Sequence, residues 1–333
     1  MSWREEFLKD YFNDKDESLW DEALNLKNSK IPPKLYKFTN TYHLYELLVQ
    51  GLVYLPKISQ LNDPMEGKML YDFDEIFEEY NSILMPYLIQ GVRKDLSLDE
   101  ENYILKSDNP LEELLEIGYY KDKLSEKGIS LENYKNNTLD KITKPFKKNL
   151  DNLNNTIKNL TILSCLSENN YKNNKMWADY GDEGKGICIE YNIRDCGDIK
   201  LINKFFFITY SEYKFTDDLK SLLNQNPPYF KFVLLPFLMK SPDWSSEKEW
   251  RCIFYKHKFQ GRIKHDYLKN ETNFYYKFPK PRAIFLGWDI SNKDEKKIIN
   301  ICRGKHIDLY KMKKTDSSYQ LDYDAILEYN NTK

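Results

Sequence analysis

The sequence predicts an α+β protein, with a mixed and largely antiparallel β-sheet, whole or split, flanked by helices and carrying a helical insertion. Three observations predict it. Short apolar runs bounded by turn residues recur between residues 34 and 56 and again from 160 onward. Helical runs lie among them without the regular alternation of a parallel βαβ chain. Between 70 and 159, aliphatic residues recur at spacings of three and four, with few strand signals. The expected organisation is N-terminal helices over 1–33, a first piece of the core over 34–69, the helical insertion over 70–159 and the rest of the core over 160–333. No glycine fingerprint of a doubly wound dinucleotide fold is present.

Each element follows from local chemistry. Trp3, Phe7, Tyr11, Phe12, Leu19, Trp20, Ala23 and Leu24 sit at helical spacing and predict one or two helices ending before Pro32 and Pro33. KLYKFTN then reads as a strand, Tyr42 to Val49 as a helix closed by Gly51, and LVYLP (52–56) as a second strand. ISQLNDPMEG is a loop whose clustered Asn62, Asp63 and Pro64 mark either a binding loop or an Asx turn. TILSCLSE (161–168) resumes the sheet. A short helix around Trp177, a glycine turn and a strand over 186–191 follow, and GDEGKG lacks the spacing and hydroxyl residue of a phosphate loop. Strands are expected at 205–210, 272–278, 282–288, 307–312 and 319–323, and helices at 216–223, 228–240 and 292–303.

Charge and composition exclude several function classes. Charged residues make up 31% of the 333 positions, yet the formal net charge is only -2, so no dedicated nucleic-acid surface is evident. Five widely spaced cysteines without a C-x-x-C pair read as reduced thiols, and the acidic N-terminal run has no apolar core of an export signal. A cytoplasmic protein without membrane insertion is expected. The four histidines have no ligand spacing, and no metal is expected.

The most informative stretch is SPDWSSEKEWRCIFY (241–255). Read as a strand, it puts Glu247, Glu249 and Arg251 on one face and Trp250, Cys252 and Phe254 on the other. Two carboxylates about 7 Å apart on one face need a cation, a hydroxyl or water between them. Such a row is either chemistry or the solvated face of an edge strand. Trp177, Tyr180 and Tyr191 offer flat surfaces for a ring, or simply fill the core.

LYKFT, LNDPMEG, SCLSE, MWADYGDEGKGICIEY, a Lys, W-x-x-E-x-E-W-R and the later FLG occur in this order over about 34–290. Together they resemble the bacterial domain-of-unknown-function family numbered 2971. A second resemblance is to ADP-ribosyltransferases: LYKFT, a helix and GLVYL look like the opening strand, helix and strand, SCLS like the serine strand, and EKE like the Glu-x-Glu motif. That resemblance implies an enzyme cleaving the glycosidic bond of NAD, acting as a bacterial toxin or anti-phage effector on an unknown macromolecular acceptor. Glu249 would then stabilise the ribosyl cation, Glu247 would orient the acceptor and Arg251 would complete the catalytic row. Lys37, Asn62, Asp63, Ser167, Trp177, Tyr180 and Tyr191 would hold NAD, with Lys37 standing where the family has His or Arg. Two rivals stay open: a metal-dependent nuclease or hydrolase using Asp63, Glu66, Glu247 and Glu249, and a non-enzymatic module sensing a nucleotide or a partner.

Overall fold

The computed structural model describes residues 2–12, 18–92, 95–223, 233–256, 268–270 and 273–329. In chain order the elements are α1 (Trp3–Tyr11), α2 (Leu19–Lys30), β1 (Leu35–Thr39), β2 (Leu52–Tyr54), α3 (Phe73–Val92), α4 (Leu98–Lys106), α5 (Pro110–Lys121), α6 (Leu131–Leu160), β3 (Thr161–Ser167), α7 (Asn174–Asp179), β4 (Ile187–Tyr191), α8 (Ile199–Ile202), β5 (Phe205–Phe207), β6 (Thr209–Tyr210), α9 (Thr216–Leu223), β7 (Met239–Lys240), β8 (Glu249–Tyr255), β9 (Leu268–Asn270), β10 (Asn273–Lys277), β11 (Ala283–Leu286), α10 (Asn292–Lys305), β12 (Asp308–Lys313) and β13 (Asp322–Leu327). The fold is α+β.

The chain divides into two compact units, 1–67 with 158–212 and 234–333, and 68–157 with 213–233. The first holds an eight-stranded sheet in the order β13-β12-β11-β4-β1-β3-β8-β5, antiparallel except for the β11–β12 pair. β2, β10 and β9 form a separate three-stranded sheet, so the second predicted strand is not a neighbour of β1. The second unit is helical among the described residues, built from α3, α4, α5, α6 and α9, with Met85, Ile89, Ile104, Leu111, Leu114 and Leu115 at its centre. It also takes in 213–233, which the sequence reading assigned to the core.

Register decides which side chains share a face, because side chains alternate and paired residues point the same way. β3 pairs with β8 as Ser167↔Glu249, Cys165↔Arg251 and Leu166↔Trp250, and β1 meets β3 at Tyr36↔Ser167. Tyr36, Phe38, Cys165, Ser167, Glu249 and Arg251 therefore lie on one face. Lys37, Ser164, Leu166, Trp250 and Cys252 lie on the other. On that second face Trp3 packs against Phe207 at 4.7 Å and against Trp250 at 6.5 Å, so α1 caps this part of the core. The capping box of Ser2 and Glu5 starts α1 where those rings need it.

Several boundaries differ from expectation for identifiable reasons. Residues 45–50 wind as a π-helix, ended by left-handed Gly51 at φ 71°. The helix expected over 228–240 begins outside the described residues, and its end is instead a 3-10 turn at Leu235–Phe237 followed by β7. Pro236 lacks the amide to continue a helix, and Met239–Lys240 pair in parallel with Thr209–Tyr210. The last strand starts at Asp322, three residues later than expected.

Candidate functional site

The 241–255 stretch is a strand only from Glu249 onward. Pro242–Glu247 forms a 3-10 turn capped by Ser241, and Lys248 is left-handed at φ 48° and ψ 53°. That conformation is unusual for a residue with a side chain. It turns the chain so that Glu247, although off the strand, still faces Glu249. Ser167 fixes the turn from β3, donating its hydroxyl to the Glu247 carbonyl at 2.5 Å, and the Asn169 side chain donates to the same carbonyl at 3.0 Å.

A polar network runs inward from this turn. Asn62 donates to the Tyr180 hydroxyl at 2.9 Å, and Tyr180 donates to Glu247 Oε1. Lys240 Nζ lies 2.6 Å from Glu247 Oε2 and 3.1 Å from Glu249 Oε2. Arg251 Nε and Nη2 hold Glu249 at 2.7 and 3.1 Å, while Nη1 and Nη2 hold Glu66 at 2.5 and 2.7 Å. Nη1 also donates to the Phe237 carbonyl at 2.9 Å, which engages every N–H of the guanidinium. Arg251 is fully buried, and Glu66, Glu247, Glu249 and Lys240 are each at most 7% exposed. Three carboxylates thus face two cations, which leaves one negative charge in surplus.

Pairing sets the protonation of these groups. Burial pushes the Glu249 carboxyl up, but the Arg251 guanidinium and the Lys240 ammonium pull it further the other way, to about 2. Burial pushes Lys240 down, yet Glu249 and Glu247 together hold it above its ordinary value. For Glu66 burial wins over Arg251, and its carboxyl is raised. Burial and the neighbouring Glu247 carboxylate keep the Tyr180 phenol protonated, as its role of donor requires.

The network opens on a cavity of about 270 Å³ walled by Phe38, Pro56, Leu61, Leu166 and Met176 as well as by the polar groups. Asn62, Ser167, Tyr180, Glu247, Glu249 and Arg251 all border it. Lys37 borders it too, whereas Asp63, Trp177 and Tyr191 do not. Asp63 caps the Met65 amide at 2.8 Å, which is the Asx-turn role. Trp177 is wholly buried in a cluster with Phe38 and Trp288, its Nε1 donating to the Tyr171 carbonyl at 2.7 Å. Tyr191 shares the opposite sheet face with Lys37 and packs edge-on against Phe278 at 5.5 Å. The Lys37 side chain leaves on that same opposite face. Its Nζ is bonded to Ser164 Oγ at 2.9 Å, and burial lowers its pKa. Lys37 and Glu249 both border the cavity, but the Lys37 ammonium is held by Ser164 and not by that carboxylate.

Sequence reading placed a lysine before the W-x-x-E-x-E-W-R motif without giving Lys240 a role in the site, and gave Glu66 a role only as a metal ligand. Lys240 closes the apolar run 230–239 one residue before the Ser-Pro turn, and a lysine ending so apolar a segment is the signal that was available. Glu66 sits in the LNDPMEG loop, whose left-handed Gly67 lets the backbone pass Phe237, where a Cβ would lie 2.3 Å from the ring. The oxygens of Glu66, Glu247 and Glu249 that a cation would use already accept hydrogen bonds from Arg251, Lys240 or Tyr180. Among the described residues no group of three or more His, Cys, Asp or Glu is arranged to hold a metal ion, and no helix is long and apolar enough to cross a membrane.

Fold and site define an α+β protein with a buried ion network lining a small cavity on one sheet face. Residues 176–252, which carry Tyr180, Lys240, Glu247, Glu249 and Arg251, match the family model described as "Protein of unknown function (DUF2971)". No curated protein and no solved structure gives a significant match. The likeness to ADP-ribosyltransferases finds no support in these comparisons.

Proposed function

We propose that the cavity receives the nicotinamide-ribose end of NAD and that the chain cleaves its glycosidic bond. The observation that carries this reading is the surplus negative charge of an enclosed site with three carboxylates and two cations. In the reaction the bond between ribose C1′ and the pyridinium nitrogen breaks, and its electron pair neutralises that nitrogen. A water or acceptor oxygen bonds to C1′ and releases its proton. Positive charge builds on the ribose between these events, and a preorganised carboxylate in a desolvated site stabilises it.

In this reading the two glutamates exchange the roles that the resemblance implied. Glu249 is braced by both cations, whereas Glu247 Oε1 is bonded only by the neutral Tyr180 phenol. Glu247 Oε1 is therefore the carboxylate oxygen of the network that no cation holds. Nicotinamide release from NAD by purified protein tests this: wild type is expected to release it, and Glu247→Gln to lower kcat by about a hundredfold or more. A wild type that releases none would sink the reading.

Saturation of the cluster favours one alternative. Every carboxylate oxygen of Glu66, Glu247 and Glu249 already has a partner, as in a binding module with a rigid pocket. Ligand-induced rise of the melting temperature without turnover would select that alternative.

A further inference from the structure

The charge distribution also limits which part of a substrate can enter. Phosphate recognition needs cationic or backbone donors with capacity to spare. Lys240 is shared between Glu247 and Glu249 with the Trp244 ring 4.6 Å from its Nζ, Arg251 has spent every N–H, and the Lys37 ammonium is on the far side of the sheet. Among the described residues bordering the cavity, no other Lys or Arg is present. The surplus carboxylate would repel an entering phosphate. At about 270 Å³ the cavity also lies just below the usual range of about 300–1,000 Å³ for a drug-sized ligand, so it suits one sugar and one ring better than a dinucleotide.

We infer that the cavity selects an unphosphorylated, neutral or cationic nucleoside, entering ring and sugar first, and keeps any 5′-phosphate outside. This rests on the proposed glycosidic activity for its kinetic readout, but its binding readout is independent. The surplus charge at Glu247 attracts a pyridinium ring, and Tyr180, Asn62 and Ser167 supply neutral polar groups around the sugar. NAD would then be engaged through its nicotinamide riboside portion alone.

The experiment compares nicotinamide riboside with nicotinamide mononucleotide, which differ by one phosphate. Nicotinamide release gives kcat/KM for each, and thermal shift titrations at fixed pH and ionic strength give the concentration of each that produces half of the maximal rise. The riboside is expected to be favoured by at least about tenfold in both, the discrimination that one misplaced charge readily produces. Equal or better performance of the mononucleotide overturns the inference while leaving glycosidic cleavage standing. If neither compound nor NAD releases nicotinamide, the cleavage reading falls, and the thermal titration alone decides: a riboside preference upholds the charge selection, and no shift with either compound overturns it.

Discussion

Two buried lysines of the same unit are shifted in opposite directions. On the cavity face, Lys240 lies between two carboxylates and its pKa is raised. Beside the edge strand β5, Lys27 is fully buried with only carbonyls as acceptors among the described residues, those of Ile202, Asn203 and Phe205 at 3.0, 3.3 and 2.6 Å, and burial lowers it to about 7. Burial is common to both and therefore cannot explain the difference. The counter-charge decides the sign, and only the cavity face assembles enough of it to hold permanent charge out of water.

The largest effect should come from breaking that assembly. Arg251→Ala leaves Glu66 and Glu249 buried without their guanidinium, and a loss of about 3–5 kcal/mol in unfolding free energy is expected in denaturant titration. Trp250→Ala removes a side chain 1% exposed from between Trp3, Phe207 and Leu166, with an expected loss of about 3–5 kcal/mol. If Arg251→Ala were as stable as wild type, the cavity face would not be held by charge, and the contrast between the faces would collapse.

Lys27 gives the next effect, through pH. Its folded pKa is depressed to about 7, below the ordinary 10.5, so between these values the unfolded chain binds more protons than the folded one. Stability from this group therefore rises with pH across that window, by at most about 1.4 kcal/mol per unit. Lys27→Met should flatten the rise. A variant whose stability between pH 7 and 10 keeps the wild-type slope would show that the three carbonyls hold the ammonium charged.

How much could be read from the chain depended on whether a feature was local or long-range. Trp250, Cys252 and Phe254 lie opposite Glu249 and Arg251 as period 2 requires, and the left-handed glycine turn at Gly184 (φ 87°) follows from nearby residues. Glu247 joins Glu249 for a reason the pattern did not contain, since the left-handed Lys248 turns the chain before the strand begins. The partnership of Arg251 with Glu66 spans 185 positions and no local period encodes it. Lys37 borders the cavity but its ammonium lies with Ser164, because strand parity depends on which residue of β3 faces Tyr36, and a one-residue change of register moves every side chain to the other face. Trp177 and Tyr191 fill the core, as large aromatic side chains most often do.

The smallest effect expected is at Lys37, and it sharpens the comparison most. If the faces are as separate as the register makes them, Lys37→Met removes a hydrogen bond to Ser164 Oγ, a longer one to the Cys165 carbonyl at 3.4 Å and one ammonium that burial already disfavours. Loss of a single such bond is worth about 1 kcal/mol, and relief of the desolvated charge offsets part of it. Stability should change by no more than about 1 kcal/mol, and nicotinamide release should keep the wild-type rate. Glu247→Gln, measured beside it, should lower turnover, and its single amide oxygen can go on accepting from only one of Tyr180 and Lys240. A Lys37→Met protein that melts like wild type but no longer releases nicotinamide would place the lysine in the reaction. The ADP-ribosyltransferase pattern, with its basic residue on the opening strand, would then describe this site better than the charge surplus does.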